Sequence, residues 1–195
     1  MIDFCRTILV LLLAGVCFEL TRGNAQTSVG GDLPLLTVFV RHAERASQPA
    51  DDPPLTQAGA KRAQDLATSL RDTKLTAIIT TQYLRVRETA QPIAAALSLT
   101  PEVFTVKNVY DAADQDAHIK AVVAALHKQA GGSVLVVDHG NMISGIIAAL
   151  GGPRLPDICD PIYDHMLVIV PIAGRIQLVS SRYGAASPSA TPGCI

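Results

Sequence analysis

Arg41 and His42 close an apolar run, Thr37-Val38-Phe39-Val40, and Glu44-Arg45 follow at once. A buried strand that ends in a guanidinium and an imidazole sets both groups beside whatever lies beyond its carboxyl end. A second imidazole, His139, follows the apolar run Val134–Val137 after Asp138. Arg85 stands in TTQYLRVRETA, at the start of a helix whose free N–H groups and dipole favour an anion. One histidine after one strand is more often structural than reactive. Two at equivalent strand ends, in company with two arginines, change that balance. Two guanidiniums, two imidazoles and a helix N-terminus converging on one crevice are the parts of a phosphate pocket.

The elements that must bring these groups together can be read from hydrophobic patterning. Leu35–Val40 and Val134–Val137 are continuous apolar runs of strand length, and Ala77–Thr80 is a shorter one. Glu102–Val106 offers a further strand. Thr56 is a good N-cap for a helix with Ala60, Ala63, Leu66, Ala67 and Leu70 on its apolar face. A helix from about Leu84 to Leu97 follows, with Pro92 bending it or marking a restart. Ile119, Val122, Val123 and Leu126 form the stripe of another helix, which Gly131-Gly132 ends. Met142, Ile143, Ile146, Ile147 and Leu150 give a strongly apolar helix closed by Gly151-Gly152-Pro153. Met166–Val170 and Ile176–Ser180 flank Ala-Gly-Arg, a hairpin signal at a sheet edge. Strands alternating with helices predict an α/β domain, a three-layer sandwich with a mostly parallel central sheet and helices on both faces. In such folds ligands sit beyond the carboxyl ends of the strands, where Arg41, His42 and His139 all emerge.

Composition narrows the setting. The chain has 195 residues, 49% of them hydrophobic, enough for one domain with a sizeable core. Arg6, the apolar run Ile8–Phe18 and small residues before a cleavage point after Ala25 read as a secretory signal peptide over residues 1–25. A retained anchor is the alternative, but the apolar stretch is shorter than a membrane span. Residues 26–34 are a Gly- and Ser-containing leader, 35–182 the domain, and 183–195 a Pro/Ser/Thr-rich tail. Without residues 1–25 the chain keeps 14 Lys+Arg against 15 Asp+Glu, so it has no general attraction for nucleic acid or an anionic membrane. Phosphate binding must then come from a local cluster. Of the four cysteines, Cys5 and Cys17 leave with the signal peptide. Cys159 and Cys194 remain, either as a disulfide tying the tail to the body or as two free thiols. No Cys/His spacing suggests a metal site.

Four elements in order carry a family resemblance: Arg41-His42-Ala43, Leu55-Thr56-Gln57-Ala58-Gly59, Thr81 through Arg85 to Thr89-Ala90, and His139-Gly140. Together they resemble the histidine phosphatase superfamily, with its phosphoglycerate mutase-like fold. Thr81 stands where that family has Ser. The resemblance implies that His42 is the nucleophile forming a phosphohistidine, while Arg41, Arg85 and His139 hold the phosphoryl oxygens. It implies no metal or organic cofactor and a small phosphorylated substrate. The general acid is the open role. One branch has Asp directly after the second His, where this chain has Gly140, and another has a Glu beyond the second arginine. The nearest analogue here is Asp111, with Asp114 and Asp116 competing, or no dedicated acid at all. Arg45 is expected at the pocket rim or as a solvated loop residue. His118 and His127 are expected at the surface, and Tyr163-Asp164-His165, just before the edge strand, either in a structural role or bordering the pocket. The expectation is an exported phosphomonoesterase, secreted or periplasmic and without a stable membrane anchor after signal cleavage. A phosphohistidine phosphatase is the runner-up. A non-catalytic binder of phosphorylated envelope sugars or lipids is the alternative from another class.

Overall fold

The computed structural model describes residues 33–195, so the expected signal peptide and nearly all of the leader lie outside the described residues. Six strands form one sheet: β1 (Leu36–Arg41), β2 (Ala77–Thr81), β3 (Glu102–Phe104), β4 (Ser133–Asp138), β5 (His165–Ile172) and β6 (Arg175–Arg182). Their spatial order is β3-β2-β4-β1-β5-β6, with β1 through β4 mutually parallel and β5 and β6 antiparallel at one side. Four helices cover it: α1 (Gln57–Leu70), α2 (Leu84–Leu97), α3 (Ala112–Lys128) and α4 (Gly140–Ala149).

Alternation along the central strands divides the core in two. Val38, Val40, Leu135 and Val137 face α1 and α2, where Leu66, Leu70, Val86 and Ile93 meet them. Phe39, Val134 and Val136 face α3 and α4, against Val122, Leu126, Ile143 and Ile147. Both faces of β1 and β4 are therefore buried, which is why these strands read as unbroken apolar runs rather than as alternating ones. This is the expected three-layer α/β sandwich.

Several local expectations can be compared directly. Thr56 caps α1, its hydroxyl accepting from the Gly59 N–H at 3.1 Å. Ala60, expected on the buried face of α1, is exposed. Its neighbour Arg62 is buried instead and bonds Glu44, so the inner face of this helix is partly polar. The second helix runs unbroken through Pro92. The third strand stops at Phe104, two residues short of the expected end. At the sheet edge, Ala173 and Gly174 both have positive φ and make the tight turn between β5 and β6. Cys159 and Cys194 are disulfide-bonded, and Ile195 N–H donates to the Asp157 carbonyl at 3.0 Å, so the tail returns to the body. No helix among the described residues is long and apolar enough to cross a membrane.

Candidate active site

The parallel strands β1 and β4 lie side by side in register, Arg41 opposite Asp138. The helix that follows β1 packs on one face of the sheet and the helix that follows β4 on the other, which opens a crevice at their carboxyl ends. One residue beyond each strand sits a histidine. His42 and His139 are 3% and 4% exposed, their ring centroids 5.5 Å apart and their planes near-perpendicular. Arg85 enters from the first turn of α2 and stacks its guanidinium over Tyr83 at 4.5 Å, and Tyr83 in turn meets the His139 ring edge-on at 5.1 Å. Arg41, His42, Arg85 and His139 all line a cavity of about 380 Å³.

Motif residues that carry no chemistry hold this arrangement. The Thr89 hydroxyl accepts from the Ala43 N–H at 2.9 Å and donates to the Arg85 carbonyl at 2.7 Å, joining the loop after β1 to α2. Gly59 lies against the Glu44 carbonyl and Gly140 against that of Ile158, and a Cβ at either would collide with backbone. Asp52 accepts the Leu84 N–H at the start of α2 at 2.8 Å and stands 3.7 Å from Arg85.

The ring of His42 has a defined tautomer. Its Nδ1 lies 2.9 Å from the Ala43 carbonyl oxygen, which can only accept, so Nδ1 carries the proton and Nε2 keeps its lone pair. Burial first, then the Arg41 and Arg85 charges, push His42 down from 6.5 to about 3, outweighing the Ala43 carbonyl and Asp160. Burial also dominates at His139, which falls to about 3. His42, Arg85 and His118 add to that effect, and the Asp138 carboxylate opposes it. Both rings are thus neutral around pH 7. The site holds an uncharged imidazole with a free Nε2 lone pair among fixed cations, an arrangement that could attack phosphorus.

A family model, histidine phosphatase superfamily (branch 1), matches residues 37–108. The match covers little more than a third of the 195 residues, and over that stretch the chain is similar to this superfamily. The matched stretch contains Arg41, His42 and Arg85; His139 lies beyond it, and the fold brings it in.

Solved structures share this fold. The protein histidine phosphatase SixA complexed with tungstate is 17% identical, covering 75% of this chain and 96% of its own, with a TM-score of 0.58. A mycobacterial glucosyl-3-phosphoglycerate phosphatase with inorganic phosphate is also 17% identical, at 77% and 97% coverage and a TM-score of 0.55. No curated protein matches the sequence.

The expected general acid is not brought to this pocket. Asp111 is exposed and caps α3, its Oδ1 accepting from the Ala113 and Asp114 N–H groups at 3.0 Å each, and neither it nor Asp114 or Asp116 lines the cavity. The side chain is engaged as an Asx cap, a role its place before an Ala-rich helix already suggested. Arg45 does stand at the cavity wall, 3.7 Å from Asp160. Arg87 is exposed.

Asp160 and His118 were not legible in the sequence, and Tyr163 takes the place beside the pocket that was open to it. Asp160 takes Nη2 of Arg41 on one oxygen and accepts from the Tyr163 hydroxyl at 2.8 Å on the same atom. Burial works against its charge, but the Tyr163 hydrogen bond and the Arg41 and Arg45 cations prevail and hold it below the usual carboxylate range. Tyr163 lies under the Arg41 guanidinium at 4.5 Å; burial and its bond to Asp160 raise it to about 12. His118, expected at the surface, is buried and donates from Nε2 to Asp138 at 2.8 Å. Its face of α3 turns toward the sheet, one turn before Val122, a position the Ile/Val/Leu stripe did not include. Among the described residues no group of three or more His, Cys, Asp or Glu is arranged to hold a metal.

Proposed function

We propose that this chain is an exported phosphatase that hydrolyses a small phosphomonoester, with His42 as the nucleophile. The observation that carries this reading is the hydrogen bond from His42 Nδ1 to the Ala43 carbonyl, which leaves the Nε2 lone pair free. Nε2 attacks phosphorus, the P–O bond to the alcohol breaks, and the phosphoryl group rests on the imidazole. Water then attacks that phosphohistidine, giving inorganic phosphate and restoring His42. Arg41 and Arg85 offset charge on the equatorial oxygens, and His139 becomes more useful as a donor when a phosphate dianion stands beside it.

Export is supported by the N-terminal charged-then-apolar segment and by the Cys159–Cys194 disulfide, which suits an oxidising compartment. Turnover of p-nitrophenyl phosphate by wild type and His42→Ala tests the reaction. Loss of at least about a thousandfold in the variant, with an acid-labile phosphoenzyme trapped in wild type, is expected. If both are equally inert while phosphate still binds, the chain is a binding module.

A second reading has its own observation. Asp111 is committed to capping α3 and Asp160 to Arg41 and Tyr163, so neither is free to protonate an alkoxide. A phosphorylated imidazole is a better leaving group than an alcohol and needs less help, which favours a phosphohistidine-bearing protein as substrate. The name of the SixA structure points the same way, at the level of fold. Competition between a phosphohistidine peptide and an alkyl phosphate discriminates: preference for the alkyl ester removes this second reading.

A further inference from the structure

Asp138 touches both histidines. Its backbone carbonyl accepts the His42 N–H at 2.9 Å, and its Oδ1 accepts the His139 N–H at 2.7 Å. Its other oxygen accepts from His118 Nε2 at 2.8 Å, and both side chains are 1% exposed. The residue follows Val134 and Val136 onto the α3/α4 face, so its carboxylate runs back under the site to meet α3 rather than into the cavity. A buried carboxylate is costly unless its oxygens are satisfied, and here each has a donor. His118 Nδ1 is buried with no hydrogen-bond partner among the described residues. The Asp138 carboxylate lies directly behind His139 and opposes the loss of its proton.

We propose that Asp138 is the positioning residue for both histidines, that His118 anchors its carboxylate, and that its buried charge favours a proton on His139 once a phosphoryl group is bound. This rests on the reading of His42 and His139 as the reacting pair. Strand pairing aligns the backbones of β1 and β4 as far as Arg41 and Asp138. The two hydrogen bonds at Asp138 extend that alignment to the peptide planes leading into His42 and His139, from which the two rings project. The charge matters because the other groups around His139 are cationic or neutral: His42 after β1, Tyr83 and Arg85 from α2, and His118 from α3. The rest of the wall adds Arg41 and Arg45, with Asp160 already bonded to Arg41.

Asp138→Asn separates charge from frame, since the amide oxygen can still accept the His139 N–H. The full chain is compared as wild type, Asp138→Asn, His118→Gln and His118→Leu. Turnover of p-nitrophenyl phosphate is followed against pH, and the His139 ring is titrated by NMR with and without inorganic phosphate. In wild type, phosphate is expected to raise the His139 midpoint. In Asp138→Asn that midpoint falls by about one pH unit or more, equivalent to about tenfold in proton affinity, and kcat drops more than KM rises. Gln at 118, which can still donate, keeps most of the activity, whereas Leu does not. A His139 midpoint and pH profile unchanged in a folded Asp138→Asn protein overturn the proposal while leaving the phosphatase reading intact. Wild type as inert as His42→Ala overturns that reading instead, and the phosphate-free His139 midpoint then decides the role of Asp138. Should His118→Leu fail to fold, Asp138→Asn carries the test alone.

Discussion

The Thr89 hydroxyl accepts the Ala43 N–H at 2.9 Å, and this contact joins the two sides of the pocket. Ala43 follows His42; Thr89 lies one helical turn beyond Arg85 and bonds its carbonyl. The spacing between Arg41-His42 and Arg85 in space is therefore set through an alcohol that never meets the substrate.

Thr89→Val keeps the shape and removes the acceptor. The Ala43 N–H is left buried and unpaired, at a cost of about 1–3 kcal/mol. Denaturant unfolding is expected to show that loss, and turnover to fall because His42 and Arg85 drift apart. Thr89→Ser restores the acceptor and should recover most of both. Equal activity in Val and Ser variants would show that strand and helix packing alone hold the spacing.

Stability should fall in acid, and the sign follows from the direction of the shifts. His42 and His139 are lowered from 6.5 to about 3, so between those values the unfolded chain binds more protons than the folded one. Stability is therefore full above about pH 6.5 and lost as pH falls toward about 3. At about 1.4 kcal/mol per unit, two such groups account for several kcal/mol at the order-of-magnitude level. Asp160 and Asp164, both lowered, work in the same direction at lower pH. Denaturant midpoints at pH 7.5, 6, 5 and 4 check this, with His42→Ala and His139→Ala flattening the upper part of the curve. A wild-type curve flat from 7.5 to 4 contradicts it.

Asp160 occupies the guanidinium that a phosphoryl group would use. Its carboxylate must share Arg41 with the substrate, and it faces Arg45 as well. Asp160→Asn is expected to tighten competitive inhibition by inorganic phosphate by about tenfold, as one opposing charge near a dianion is removed. Weaker inhibition would mean that Asp160 holds Arg41 in position more than it competes.

Cys159 is next to Asp160, and its disulfide pins this loop to the tail. Cys159→Ser with Cys194→Ser should cost about 2–4 kcal/mol of stability. Because Asp157, Cys159 and Asp160 line the cavity, KM should rise more than kcat falls. Thermal unfolding and steady-state kinetics on the double variant are the measurements. An unchanged KM would limit the bridge to stability.

The groups at the mouth were readable because each sits at a point the chain marks locally. Strand runs end at Arg41 and Asp138, and Arg85 opens a helix, so element boundaries sufficed to predict that they share an edge. The side chains behind and above the mouth had no such mark. Asp160 and Tyr163 lie on a loop, and their meeting with Arg41 spans about 120 positions. Glu44 likewise had no partner in view until α1 supplied Arg62. His118 was misplaced because a histidine beside an aliphatic stripe reads as surface unless a buried acceptor is known to wait for it.

By itself the sequence determined the α/β layering and the identity of the four residues at the strand and helix ends, since periodicity and local boundaries are properties of short segments. Tertiary structure decided how those residues are charged and held. Which nitrogen of His42 is free depends on a carbonyl in the turn that follows it, while the low proton affinity of both rings depends on burial by the whole fold. The acceptor that holds His42 and His139 together, Asp138, is secured from α3 by a residue twenty positions away. Electrostatics and hydrogen bonding act through space, and the sequence orders residues only along the chain.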